Sequence, residues 1–174
     1  MHTNTIIDAL VARRSCRAYT DEAVAPEAID AIVHAGLYAA NGRGAQAALF
    51  VVVTNRTTRD TLSKLNASIL GTNTDPFYGA PLVIAVLANT AVPTYREDGS
   101  LALGNLMLAA SSLNLGSCWI HRAREVFSLP EGKQLLADWR VPDGYEGIGF
   151  CILGHAAQTG TAAPRKSGRV ITIA

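Results

Sequence analysis

Between Leu101 and Leu115 the chain carries a helical stretch with leucines on every face, relieved mainly by Gly104, Asn105 and a few serines. A helix that is apolar all round has to be buried. In a chain of 174 residues that leaves two places for it, the centre of the fold or an interface between copies. The length itself fits a single domain over residues 1–174.

The segments around this helix fix the class. Asn4 can cap a first helix whose apolar positions Ile6, Ile7, Leu10 and Val11 share one face and which ends near Arg13. Pro26 opens a second, with Ile29, Ile32, Val33 and Leu37 at helical spacing, running into a glycine loop at 41–44. Leu49–Val53 and Leu82–Leu87 are short apolar runs of buried-strand type. Residues 57–70 repeat as a helix closed by Gly71, on which Arg56 and Arg59 read as solvated. Gly116 should end the apolar helix. Strands are expected at 117–121, 148–153 and 170–173, and a short helix at 131–139. Residues 95–98, Tyr-Arg-Glu-Asp, read as a solvated loop. Two helices precede any strand and no regular β-α-β series follows. The expectation is therefore an α+β layer fold, not a doubly wound dinucleotide fold.

Composition narrows the function classes. Hydrophobic residues make up 49% and charged residues 17%, too apolar for disorder. Cys16, Cys118 and Cys151 are an odd, scattered set, and the four histidines lack ligand spacing, so neither a disulfide framework nor a metal centre is expected. The first residues do not read as a signal peptide, and the longest apolar run is too short to span a bilayer. A cytoplasmic protein without a membrane partner is expected. A net charge of +1 and 6% aromatics argue against nucleic acid.

The chemistry concentrates in two basic groups at opposite ends. Arg13, Arg14, Ser15 and Arg17 follow the first helix, and Arg165 and Lys166 lie near the end. Guanidinium forks and a hydroxyl suit phosphate oxygens. A solvated helix end, favoured by the helix dipole, explains the first group as well. If the terminal segment returns to the first helix, both groups can meet on one phosphate. Gly42 and Gly44 do not make a dinucleotide fingerprint and more simply permit a tight loop. No histidine motif partners Ser15 as a nucleophile, and no acid–base pair stands out, so no catalytic side chain is assigned. Cys118 reads as a core residue.

The motif Arg13-x-Ser15-x-Arg17-x-Tyr19 after an amphipathic helix resembles the flavin-dependent nitroreductases, most of all their short members. The series continues in order through Ala39–Gln46 with the strand after it, Gly79-Ala80-Pro81, residues 104–110, residues 115–120, residues 147–155 and Pro164-Arg165-Lys166. The resemblance implies a central mixed, mostly antiparallel sheet flanked by helices, in an intertwined homodimer with two FMN sites at the interface. It places the phosphate clamp on Arg13, Arg14, Ser15 and Arg17, completed by Arg165 and Lys166. Gln46 and Asn66 would lie near the isoalloxazine, and Gly116, Ser117, Cys118, Trp119 and Ile120 along one flavin edge. It implies FMN as cofactor and NADH or NADPH as co-substrate, with hydride passed by ping-pong kinetics to a nitroaromatic, quinone or similar acceptor. A flavin carrier or sensor without fast turnover, and a dehalogenase-like flavoenzyme, are the alternatives. The sequence departs from many relatives at Gly44-Ala45-Gln46-Ala47-Ala48, which lacks their Asn-x-Gln-Pro-Trp.

Overall fold

The computed structural model describes residues 3–158 and 160–173. Four strands, β1 (Ala48–Val53), β2 (Leu82–Asn89), β3 (Gly116–Ile120) and β4 (Tyr145–Gly154), form one sheet in the order β1-β2-β4-β3. Every neighbouring pair is antiparallel. The parallel component of the expected mixed sheet reduces to an isolated bridge between Ser15 and Ser117. Six helices surround the sheet: α1 (Thr5–Ala12), α2 (Pro26–Leu37), α3 (Arg56–Leu70), α4 (Tyr95–Ser112), α5 (Ala123–Ser128) and α6 (Pro130–Asp138).

The central strands β2 and β4 set the layering. β2 is buried from Leu82 to Ala88, because its apolar run leaves no polar face. Its side chains alternate between two cores. Val83, Ala85 and Leu87, with Phe150 and Ile152 of β4, pack on Leu62 of α3 and Val126 and Phe127 of α5. Leu82, Ile84 and Val86, with Cys151 and Leu153, pack on Ile32 of α2 and Leu103, Leu106 and Ala110 of α4.

Several local expectations change. β1 is an edge strand and only Val53 in it is fully buried, so it is not the buried strand its composition suggests. Helix α4 starts at Tyr95 and takes the charged 95–98 segment into its first turn, where acidic residues complement the helix dipole. It ends before Asn114, which takes the left-handed position (φ 60) in place of Gly116. One side of α4 is buried, but Leu101 and Leu113 are half exposed, so the helix is not enclosed all round by its own chain. α5 follows β3 directly where no helix was expected. Residues 170–173 form no strand with the chain's own sheet, and Val170, Ile171 and Ile173 are 84%, 86% and 89% exposed. The apolar face of α1 is likewise uncovered, with Ile6, Leu10 and Val11 at 65%, 56% and 68%.

Arg59 departs most from expectation. It is 5% exposed, not solvated. Its Nε donates to Ala80 O (2.9 Å), Nη1 to Asp60 (3.0 Å) and Nη2 to Asp75 (2.5 Å), and the guanidinium lies over the Phe77 ring. It ties α3 to the loop that leads into β2. Its carboxylate partners are 39% and 35% exposed, so removing Arg59 mainly costs its hydrogen bonds and leaves Ala80 O without its donor. Arg59→Ala should therefore lower unfolding free energy by about 1–3 kcal/mol in urea titration. Arg56→Ala, at a 73% exposed side chain, should stay within about 0.5 kcal/mol.

Candidate functional site

The site is assembled where the chain leaves α1 and crosses the β3 edge. Asn4 caps α1, accepting from the Ile6 and Ile7 amides. At the other end Arg14 Nη1 donates to the carbonyls of Val11 (2.6 Å) and Arg13 (2.8 Å), which commits part of that guanidinium to closing the helix. The next residues are stapled to the sheet. The Cys16 amide donates to Ser117 O (2.8 Å), the Thr20 amide to His155 O (2.9 Å), and the Ala157 amide to Ala18 O (2.9 Å). The Tyr19 hydroxyl donates to Cys16 O (2.9 Å). Burial, then the thiols of Cys16, Cys118 and Cys151, hold that hydroxyl far above its usual range, so it stays protonated. Burial likewise pushes the Cys151 thiol up, so it is not an accessible nucleophile.

Of the clefts beside this crossing, Arg17 lines two. The larger, about 820 Å³, lies between Arg13, Arg14, Ser15 and Arg17 on one wall and residues 160–165 on the other. Arg165 is part of that far wall, so the two basic ends of the sequence do meet. Lys166 is exposed and outside it. Nη1 of Arg13 is buried and has no hydrogen-bond partner among the described residues. An unpaired buried guanidinium nitrogen is costly unless an acceptor arrives, and a phosphate or other oxyanion is such an acceptor. The smaller cleft, about 200 Å³, runs from Arg17 along Cys118, Trp119 and Ile120 of β3 to His121 and Arg122. Its other wall is the 74–78 loop.

The remaining candidates divide by what they already hold. Gly116 starts β3 against Cys16, whose Sγ would lie 2.8 Å from an added Cβ. Ser117 is buried, its hydroxyl near Met107 O (3.4 Å). Trp119 fits because Gly149 leaves room, since a Cβ there would meet Nε1 at 2.3 Å. Asn66 is 0% exposed, and its amide is spent on the turn after β3. Nδ2 donates to His121 O (2.8 Å) and Oδ1 accepts from Arg122 Nε (3.0 Å). It positions that turn. Gln46 stands apart, in a third cleft with Asn41, Phe50 and Asp98. There its backbone N–H donates to Asn41 Oδ1 (3.0 Å) and its backbone is left-handed (φ 49).

Sequence reasoning missed Asp98 and Asp75. Asp98, buried in α4, accepts from the Gly42 amide (2.9 Å) and the Thr94 hydroxyl (3.2 Å), and so pins the Gln46 loop. Asp75 accepts from Arg59, from the Ser63 hydroxyl, and from the Phe77 (2.8 Å) and Gly79 (2.7 Å) amides, and so shapes the smaller cleft. The Asp-Pro pair at 75–76 marks a turn in the sequence, but a partner sixteen residues back on α3 leaves no local signal.

Residues 10–76 match the model of the Nitroreductase family. An archaeal protein from Methanothermobacter thermautotrophicus, provisionally named NADH dehydrogenase/NAD(P)H nitroreductase, is 28% identical over 144 residues, 72% of this chain and 70% of that protein. Over these residues the chain is similar to the nitroreductase family. Among solved structures of the family, the FMN-bound nitroreductase of Bacteroides fragilis superposes with a TM-score of 0.90 at 25% identity, covering 98% of this chain and 100% of that one. An FMN-dependent nitroreductase of Clostridium difficile gives 0.81 at 28% identity, covering 95% and 98%. The nitroreductase fold is thus matched along nearly its whole length, beyond the segment the family model covers.

Burial alone raises the Asp75 carboxyl, but the hydrogen bonds from Arg59, Ser63, Gly79 and Phe77 outweigh it and leave it below the usual carboxylate range. The unfolded chain then binds the proton first, so Asp75 contributes stability above roughly pH 4 that is lost as pH falls through its lowered value. Asp75→Asn should be less stable at neutral pH yet show a flatter stability profile below about pH 4, read from urea midpoints across the acid range. A parallel profile for the two proteins would contradict this.

Proposed function

We propose that this chain is a single FMN-binding domain of the nitroreductase family, acting as an NAD(P)H-dependent oxidoreductase. The observation that carries the reading is the larger cleft, lined by Arg13, Ser15, Arg17 and Arg165, with the buried Arg13 Nη1 unpartnered among the described residues. That donor set suits the FMN phosphate. Arg13 and Arg17 would hold the phosphate as charged forks, and Ser15 would add a hydroxyl. Arg14, partly spent on the α1 carbonyls, would supply charge more than contacts. The β3 stretch from Gly116 to Ile120 would line the ring, with Asn66 fixing the turn beyond it. When bound, FMN supplies the redox chemistry, taking hydride from NADH or NADPH and giving it to a nitroaromatic, quinone or similar acceptor. The protein binds, orients and excludes water, which accords with the lack of a catalytic acid–base pair. Donor and acceptor using one pocket in turn would give parallel double-reciprocal plots.

We further propose a homodimer with FMN at the interface. Folded monomers of 18.4 kDa expose roughly 8,200 Å², whereas this chain exposes 10572 Å². The excess lies with the bare α1 face, the 170–173 tail and the outer side of α4, surfaces that a second copy would cover. Gln46, remote from the arginine cleft of its own chain, would then serve the flavin of the other copy. The three free, buried cysteines suit a reducing compartment such as the cytoplasm.

The decisive experiment is to load the purified protein with FMN, desalt it, record the visible spectrum, and add NADH or NADPH without oxygen. Retained flavin bands that bleach with a nicotinamide are expected. Retained bands that never bleach would favour a carrier or sensor, and loss of all flavin would overturn the reading. Arg13→Ala with Arg17→Ala should weaken FMN binding, each lost charge-assisted contact costing about 1.5–3 kcal/mol.

A further inference from the structure

The loop between α3 and β2 contains a turn that its own sequence disfavours. The Ala80 amide donates to Phe77 O (3.0 Å), and the two residues between them, Tyr78 and Gly79, have φ of 52 and 75. Two left-handed central residues make a turn of type I′, where asparagine, aspartate or glycine is favoured at the first position. Glycine stands at the second. A tyrosine at the first crowds its Cβ against the backbone and offers no local side-chain hydrogen bond in return. Asp75 holds the turn in place through the Phe77 and Gly79 amides, and Arg59 holds Asp75.

Packing does not account for the tyrosine either. Tyr78 is 41% exposed and belongs to neither core, and its hydroxyl has no hydrogen-bond partner among the described residues. It lines the smaller cleft, opposite Arg17, Trp119, His121 and Arg122. An aromatic wall facing guanidinium groups suits a flat, electron-poor ring that carries a negative or strongly polarised oxygen. Strain kept at an exposed residue on a cleft is characteristic of a working position.

We propose that Tyr78 is the aromatic wall of a ring-binding cleft and a determinant of which ring binds there. The ligand class is a planar electron-poor ring with an oxygen-bearing edge, whether the flavin's own ring or the ring of the acceptor that reacts with it. This rests on the FMN reading for the first source and not for the second.

The test compares Tyr78→Asn and Tyr78→Phe with the wild type as full-length chains. FMN affinity is read by flavin fluorescence. Affinity for para-nitrobenzoate is read by calorimetry, with FMN present and without it. Tyr78→Asn should bind one of the two ligands about tenfold more weakly, roughly what a lost aromatic contact is worth. Tyr78→Phe should stay within twofold. An FMN effect assigns the wall to the flavin ring, and a nitrobenzoate effect assigns it to the acceptor. Without added FMN, Tyr78→Asn should melt about 2–4 °C higher, because the turn is relieved. Both affinities unchanged in Tyr78→Asn, or Tyr78→Phe as weak as Tyr78→Asn, would overturn the proposal. So would a Tm that fails to rise. A chain that binds nitrobenzoate through Tyr78 but no FMN would keep the cleft and overturn the flavin reading alone. A wild-type chain that binds neither would overturn both.

Discussion

Everything in this structure follows from a central strand pair that is apolar on both faces. β2 and β4 have no polar side, so helices must cover each face, α2 and α4 on one and α3, α5 and α6 on the other. That leaves the sheet edges as places where polar chemistry can meet regular backbone. β1 holds one edge. The other is β3, and the residues after α1 cross it, tied through the Cys16 amide to Ser117 O at 2.8 Å. The crossing carries Arg13, Ser15 and Arg17 to the rim of the core with little freedom, and the clefts on either side of Arg17 result from it.

A second constraint acts on the loops. In the segments that flank the clefts, polar side chains add to hydrophobic anchors such as Phe77. Arg59 and Asp75 fix the 74–79 loop, Asp98 and Asn41 fix the Gln46 loop, and Asn66 fixes the turn after β3. Arg59, Asp98 and Asn66 are buried and bond backbone of another segment, while Asp75 and Asn41 are less buried and bond backbone of their own loops. Such bonds return modest net energy when made and cost much more when broken. They therefore act as locks. The left-handed residues Arg43, Gln46, Tyr78 and Arg122 all sit in segments held this way.

How far the sequence foretold this depends on whether the cause was local. Asn4, Pro26 and Gly71 mark helix ends through their own chemistry, and all three stand where expected. The strand runs at 49–53, 82–87 and 148–153 lie inside β1, β2 and β4 because apolar β-branched residues have few other uses. Residues 95–98 are solvated at Arg96 and Glu97 as their charges suggest, but they form a helix turn that buries Asp98. In the fold, Tyr95 and Arg96 reach Glu146 of β4 and Asp98 reaches Gly42, partners about fifty residues away. Arg59 was misleading for the same reason. For the site, the cluster at 13–17 and its meeting with Arg165 were legible as composition at the two ends of the chain. The loop of Asp75 and Tyr78 was not, because its role comes from the far wall of a cleft that exists only after folding.

The apolar helix returns as the most instructive case. Its sequence demanded burial on every face, yet the chain covers one side, through the sheet and α2, and leaves Leu101 and Leu113 half exposed. The tail at 170–173 alternates as a strand should and has no strand beside it in its own chain. The apolar residues of α1 face outward although a good cap and regular spacing formed the helix. Each feature looks like a failure of folding when taken alone. Each leaves large apolar side chains exposed, on a chain whose total surface exceeds that expected for a monomer of its mass. A chain whose sequence obeys burial rules and whose isolated fold does not is short of a surface to pack against. The proposed second copy would supply that surface for all three at once, and it would also give Gln46, which does not line the cleft of Arg13 and Arg17, a flavin to face.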